Sequence, residues 1–203
     1  TALGQESEWS DVTYFVTTQN VYVDDVFSTY LYEGNNSTQT INNGIDLSGE
    51  GGLVWQKGRS FSSGSWSIPH MLFDTERGTH KLISSSSSDT ESTPVYGVDS
   101  FNSNGFSLND SYTHSNSSVI DGGYCSWTFR KAPGFFDIVT YTGSGSNRTI
   151  AHNLGSVPGF IMIKRTDSSG PWICFHRSLG NTKNIELQST NAEDTNSAIW
   201  NNT

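Results

Sequence analysis

Asp74-Thr75-Glu76 is the stretch of this chain whose residue types come closest to a catalytic pattern. Two carboxylates this close on a strand are the raw material of glycoside hydrolysis, in which one acts as acid and the other as nucleophile. A second copy of the segment, described below, replaces them with His176, Arg177 and Ser178, and no third acid follows at strand spacing. A surface turn is therefore the expectation, and no catalytic residue is assigned. Nucleophilic catalysis has no better footing, because the chain has no G-x-S-x-G elbow. The Gly-rich run GSGSNRT at 143–149 lacks the following helix and Lys that phosphate binding uses.

Metal ligation is equally thinly supported. The histidines His70, His80, His114, His152 and His176 pair with neither Cys nor carboxylate at zinc-ligand spacing. The oxygen-rich loop NNGIDLSGEG at 42–51 has the composition of a calcium loop but no recognisable loop motif. No metal and no cofactor are expected. Cys125 and Cys174 permit one disulfide at most and are read as two buried free thiols.

Aromatic side chains offer a different chemistry, since sugar rings stack on exposed indole faces. Of the six tryptophans, Trp55 and Trp127 lie in regular strand patterns and are assigned to the core. Trp66, in the Ser/Gly-rich run SFSSGSWSIP, and Trp172, near the start of a strand, are the two candidate glycan contacts.

Those residues are carried by a repeated element. FSTYLYEGNNSTQTINNGI at 27–45 aligns without gaps on FDIVTYTGSGSNRTIAHNL at 136–154, an offset of 109. GGLVWQKGR at 51–59 then meets PGFIMIKRT at 158–166, and HMLFDTERGTHKLI at 70–83 meets WICFHRSLGNTKNI at 172–185. Residues 98–130 have no counterpart, so the second copy is expected to be truncated: an N-terminal segment or linker over 1–20, a first unit over 21–131 and a partial second unit over 132–203, joined at KAPG. A unit without its last strands leaves unpaired edges open to another segment.

Alternating or short apolar runs at 26–32, 53–57, 71–73, 81–84, 106–108 and 124–130, separated by Gly, Asn and Ser clusters, predict an all-β, antiparallel β-sandwich with little helix. Alternation in YCSWTFR puts Cys125, Trp127 and Phe129 on one face, assigned to the core, and Tyr124, Ser126, Thr128 and Arg130 on the other.

Acidic residues outnumber basic ones by 20 to 11, which removes the basic footprint of a nucleic-acid binder. No apolar run approaches the ~20 residues of a membrane-spanning helix, so no membrane insertion is expected.

The segments YVDDVFSTYLYEGNNSTQTINNGIDLSGEGGLVWQKGRS, HMLFDTERG, SWTFRKAPGFFDIVTYTGSG and RTIAHNLGSVPGFIMIKR resemble a repeat domain of virion appendage and tail-fibre proteins of marine bacteriophages, including those of cyanobacteria. The order of features within each unit is also similar to laminin-G and concanavalin-like jelly rolls. The resemblance implies a non-enzymatic structural component of a virion or extracellular fibre. Its partners would be itself, as a homo-oligomer, or other appendage subunits, with host surface polysaccharide as a further contact. A carbohydrate-binding module is the alternative, and a polysaccharide hydrolase stands behind both.

Overall fold

The computed structural model describes residues 21–60, 68–109, 114–120 and 122–200. In chain order its elements are a single helical turn, α1 (Val23–Val26), and then β1 (Phe27–Tyr32), β2 (Gln39–Asn42), β3 (Gly52–Gly58), β4 (Met71–Asp74), β5 (Ile83–Ser84), β6 (Val98–Asn102), β7 (Gly105–Leu108), β8 (Tyr124–Arg130), β9 (Phe160–Lys164), β10 (Trp172–His176), β11 (Lys183–Glu186) and β12 (Asp194–Thr195). All strand pairings are antiparallel, as the polar turns and alternating strands of the sequence predict.

The described residues up to Arg130 build a β-sandwich. A five-stranded sheet in the order β1-β8-β3-β4-β5 faces a three-stranded sheet in the order β2-β7-β6. Between them lies a core in which Val54, Met71 and Phe73 from the larger sheet meet Ile41, Val98, Phe106 and Leu108 from the smaller one. The hairpin joining β6 to β7 closes at Gly105, whose φ of 125° favours glycine, and where a Cβ would sit 2.0 Å from the Ile41 carbonyl oxygen.

Strand β8 sits the other way up from the sequence expectation. Tyr124, Ser126 and Thr128 are the buried inner set, whereas Trp127 and Phe129 lie on the outer face of the large sheet beside Trp55 and Leu53. Hydrophobicity misleads here because both faces of the sheet are covered, and a strand buried on both sides loses clean alternation. The inner polar groups find partners: Asn43 Nδ2 donates to Thr128 Oγ1 at 2.8 Å, and Gln56 Nε2 to the Tyr32 hydroxyl at 3.1 Å.

Tyr32 and Tyr124 stack at 5.1 Å inside this core. The Tyr32 hydroxyl donates to the Ser115 carbonyl at 2.9 Å, and the Tyr124 hydroxyl accepts from the Ser117 amide at 2.9 Å. Burial pushes both phenols up, Tyr32 well above its ordinary value and Tyr124 to about 12. The unfolded chain ionises them near their ordinary value of 10.0 and so binds fewer protons than the folded one above that pH. Their stabilising contribution is therefore intact below about pH 10 and is lost as the pH rises toward the folded values. Ultraviolet titration is expected to show two of the eight tyrosines ionising only together with the loss of circular dichroism. Ionisation of all eight while the fold persists would contradict the packing of this pair.

Beyond the joint at 131–134, a four-stranded sheet runs β12-β11-β10-β9. Its pairings fall where the internal alignment carries those of the first unit. Leu53↔Asp74 corresponds to Phe160↔His176, Trp55↔Leu72 to Met162↔Cys174, and Leu72↔Ile83 to Cys174↔Ile185. The turns correspond too: Thr75 donates its amide to the Gly52 carbonyl at 3.0 Å and Arg177 to that of Gly159 at 2.9 Å. Gly78 and Gly180, which close these turns, have φ of 94° and 78°. The likeness stops at three strands, for residues 136–141 and 148–151, aligned with β1 and β2, form no strand. β1 owes its strand to six consecutive pairings with β8, and no described segment stands in that relation to 136–141.

Candidate functional site

The Asp74-Thr75-Glu76 carboxylates resolve into a turn and a joint. Asp74 ends β4 and is buried, and its Oδ1 accepts the amides of Glu76 and Arg77 at 3.1 and 2.9 Å. Its Oδ2 takes the Arg77 Nε at 2.6 Å, while Arg77 also reaches Glu91 at 3.1 Å and the Leu72 carbonyl at 3.2 Å. In the second unit the His176 Nδ1 accepts the Ser178 amide at 3.2 Å, the same two-residue cap made by a different side chain. A turn-capping role thus fits both residues at this position, and only one of them is a carboxylate. Glu76 instead pairs with Lys131 at 2.6 Å, and Lys131 lies 3.8 Å from Asp137 across the joint. Its hydrogen bond to Glu76, followed by the charges of Glu76 and Asp137, raises the Lys131 pKa.

Glu50, Glu76 and Asp99 line an open cleft of about 570 Å³ beside the 42–51 loop. Asp46 of that loop spends its Oδ1 on the Ser48 and Gly49 amides, at 3.1 and 2.9 Å, and these bonds hold its pKa down. Among the described residues no group of three or more His, Cys, Asp or Glu is arranged to hold a metal ion.

Of the two candidate glycan contacts, Trp66 lies outside the described residues. Trp172 is corrected by its surroundings: the side chain is only 4% exposed and its Nε1 donates to the Ser84 carbonyl at 2.7 Å, so it offers no ring face to a sugar. The sequence places it at a strand start, where exposure is the default. What buries it is a different unit, which no local pattern reports. Trp55 and Trp127, assigned to the core, lie instead on the outer face of the large sheet, half-buried with rings 6.0 Å apart. His70 stacks on Trp127 at 6.4 Å and accepts the Trp55 Nε1 proton at 2.9 Å. Burial, and then the Lys57 charge, lowers the His70 pKa, which keeps the accepting nitrogen free of a proton.

The most developed site is the seam between the units. Leu53, Leu72 and Ile83, on the outer face of the first sheet, form one buried cluster with Trp172, and Trp55, Phe129, Phe136, Ile138 and Met162 pack around it. Phe129 and Phe136 lie 5.2 Å apart across the joint. Polar contacts extend the seam: Glu91 donates its amide to the Thr166 carbonyl at 3.0 Å, and Gly170 to that of Ser88 at 2.8 Å. Both cysteines are free and buried on these facing sheets. Burial raises both thiol pKa values, the opposite of an activated nucleophile. The sequence signal that would have found the seam is present, because apolar residues occur on both faces of β3 and β8, one face more than a lone sandwich needs.

Asn116, which opens the glycosylation sequon Asn116-Ser117-Ser118, is fully buried, donates to the Ser37 and Asn109 carbonyls at 2.6 and 3.0 Å, and accepts from the Asn35 amide at 3.2 Å. Its amide is committed to the fold, which leaves no room for a sugar at that position.

No curated protein and no solved structure matches this chain. The family model that does match spans residues 23–203, from α1 through both units and the seam, and on that extent the chain belongs to the family described as a domain of unknown function, DUF7483.

Proposed function

We propose that this chain is a non-enzymatic structural component of an extracellular or virion appendage, in which a β-sandwich and the sheet that follows it along the chain pack face to face. The observation that carries this reading is the seam. A large sheet whose inner face already has its own core uses its outer face to seat the next unit through Trp172, Leu53, Leu72 and Ile83. Apolar burial at a unit boundary stiffens the connection, where a polar linker would let the units swing independently. The joint is reinforced by Lys131, which bridges Glu76 and Asp137. Stiff tandem units suit a filament that must project from a surface. The buried turn-capping role of Asp74 also supports a structural reading over a hydrolytic one.

The test is localisation on the assembled particle. Antibodies raised against the chain should label fibres or tails in immunogold electron microscopy of purified particles, and the chain should co-purify with detached appendages. Recovery only in the soluble fraction of infected or producing cells would overturn the proposal.

A further inference from the structure

In the first unit β3 is flanked on both sides, by β4 and by β8. Among the described residues its counterpart β9 is paired only with β10 and forms the edge of its sheet. Residues along an antiparallel strand direct their amide and carbonyl alternately to opposite neighbours. Because the Gly159 carbonyl faces the β10 side, where it accepts from Arg177, Ile161 and Ile163 also face β10. Phe160, Met162 and Lys164 therefore present their backbone groups outward, toward the side that β8 occupies next to β3. Among the described residues no backbone group pairs with them there. Phe160 is 48% exposed, although the corresponding Leu53 is buried.

Two further observations show the second sheet less covered than the first. Among the described residues, 136–141, aligned with β1, pair with no strand beyond the single bridge of Phe136 to Ala132, and Val139 and Tyr141 are exposed. Ile161, Ile163, Ile173 and Phe175 occupy the positions of Val54, Gln56, Met71 and Phe73, which are buried in the first unit, yet they are only half-buried.

The geometry points to the free edge of β9 as a strand acceptor, whose occupant is an extended segment with the residue pattern of β8. It enters antiparallel, with its Phe129-like, Trp127-like and Cys125-like positions opposite Phe160, Met162 and Lys164, the register that β8 holds on Leu53, Trp55 and Lys57. Its far edge then pairs with 136–141 as β8 pairs with β1. β8 is the occupant that the fold itself displays at the equivalent position, and main-chain pairing supplies affinity while alternate side chains supply register. The inference is independent of the appendage reading, since it rests on the edge of β9 and not on where the protein resides.

The experiment uses the 203-residue chain and a synthetic peptide of residues 122–130, under reducing conditions, with a scrambled peptide as control. Amide hydrogen exchange at Phe160, Met162 and Lys164 should slow at least tenfold when the peptide is added, and residues 136–141 should gain protection with them. Phe160→Pro removes an outward-facing donor at an exposed position outside the seam without touching the bonds to β10, as proline is tolerated on the solvent side of an edge strand. That variant should keep the β10 amide protection and bind the peptide at least tenfold more weakly. Absence of binding, equal binding of the scrambled peptide, or undiminished binding by Phe160→Pro overturns the inference. Dimerisation of the chain through β9 that the peptide cannot displace also overturns it, by making a second copy the occupant.

Discussion

Trp172→Ala is expected to lower stability by about 3–5 kcal/mol, the range for truncating a buried aromatic side chain, and to split unfolding into two transitions. The ring is 4% exposed and seated among Leu53, Leu72 and Ile83, so its removal leaves a cavity at the centre of the seam. The first unit has its own core around Phe73 and Phe106, whereas the opposite face of the β9–β10 pair is only half-buried. The second unit therefore depends on the seam more than the first does, and should melt earlier once the seam is weakened. Trp172→Phe separates packing from hydrogen bonding. It keeps most of the apolar area but loses the donor to the Ser84 carbonyl, at a cost of about 1 kcal/mol. Urea unfolding followed by circular dichroism, with hydrogen exchange to assign each transition, makes the measurement. A midpoint that Trp172→Ala hardly moves would mean that the units are held together elsewhere.

Arg77→Met carries the second large effect, about 3–5 kcal/mol, because removing one partner of a buried ion pair leaves the other charge uncompensated. Asp74 would keep the two backbone amides at its Oδ1 but lose the guanidinium at 2.6 Å from its Oδ2. Glu91 would lose the same cation and retain Lys81 at 3.2 Å. Adding Asp74→Asn to Arg77→Met should recover much of the loss, since the uncharged amide still caps the turn. A double-mutant cycle in chemical denaturation reads this coupling directly. If each single variant stays within about 0.5 kcal/mol of the parent, the ordinary range for surface changes, then Asp74 is no structural residue and its part in chemistry must be reconsidered.

Most of the strands were legible in the sequence because each carries its signal locally. The runs at 53–57, 71–73 and 124–130 are strands within a residue or so of those limits. The self-alignment went further, since carrying pairings from one copy to the other gives the observed register of β9, β10 and β11. It failed at 136–141 for a physical reason: those residues have the pattern of β1 but not its partner, and a strand at an edge exists only through the hydrogen bonds of its neighbour. The candidate sites fared less well. Asp74 and Glu76 looked like a pair because they are close in sequence, yet one turns inward to Arg77 and the other across the joint to Lys131.

The sequence by itself determined most of the strands and their turns, because alternation and turn chemistry act over a few residues and survive wherever the chain is placed. Tertiary structure alone decided which face of β8 is the core and that Trp172 is a buried anchor. Burial is a property of what lies opposite. The surface opposite Trp172 comes from Leu53, Leu72 and Ile83, roughly a hundred residues earlier in the chain, beyond the reach of any local pattern.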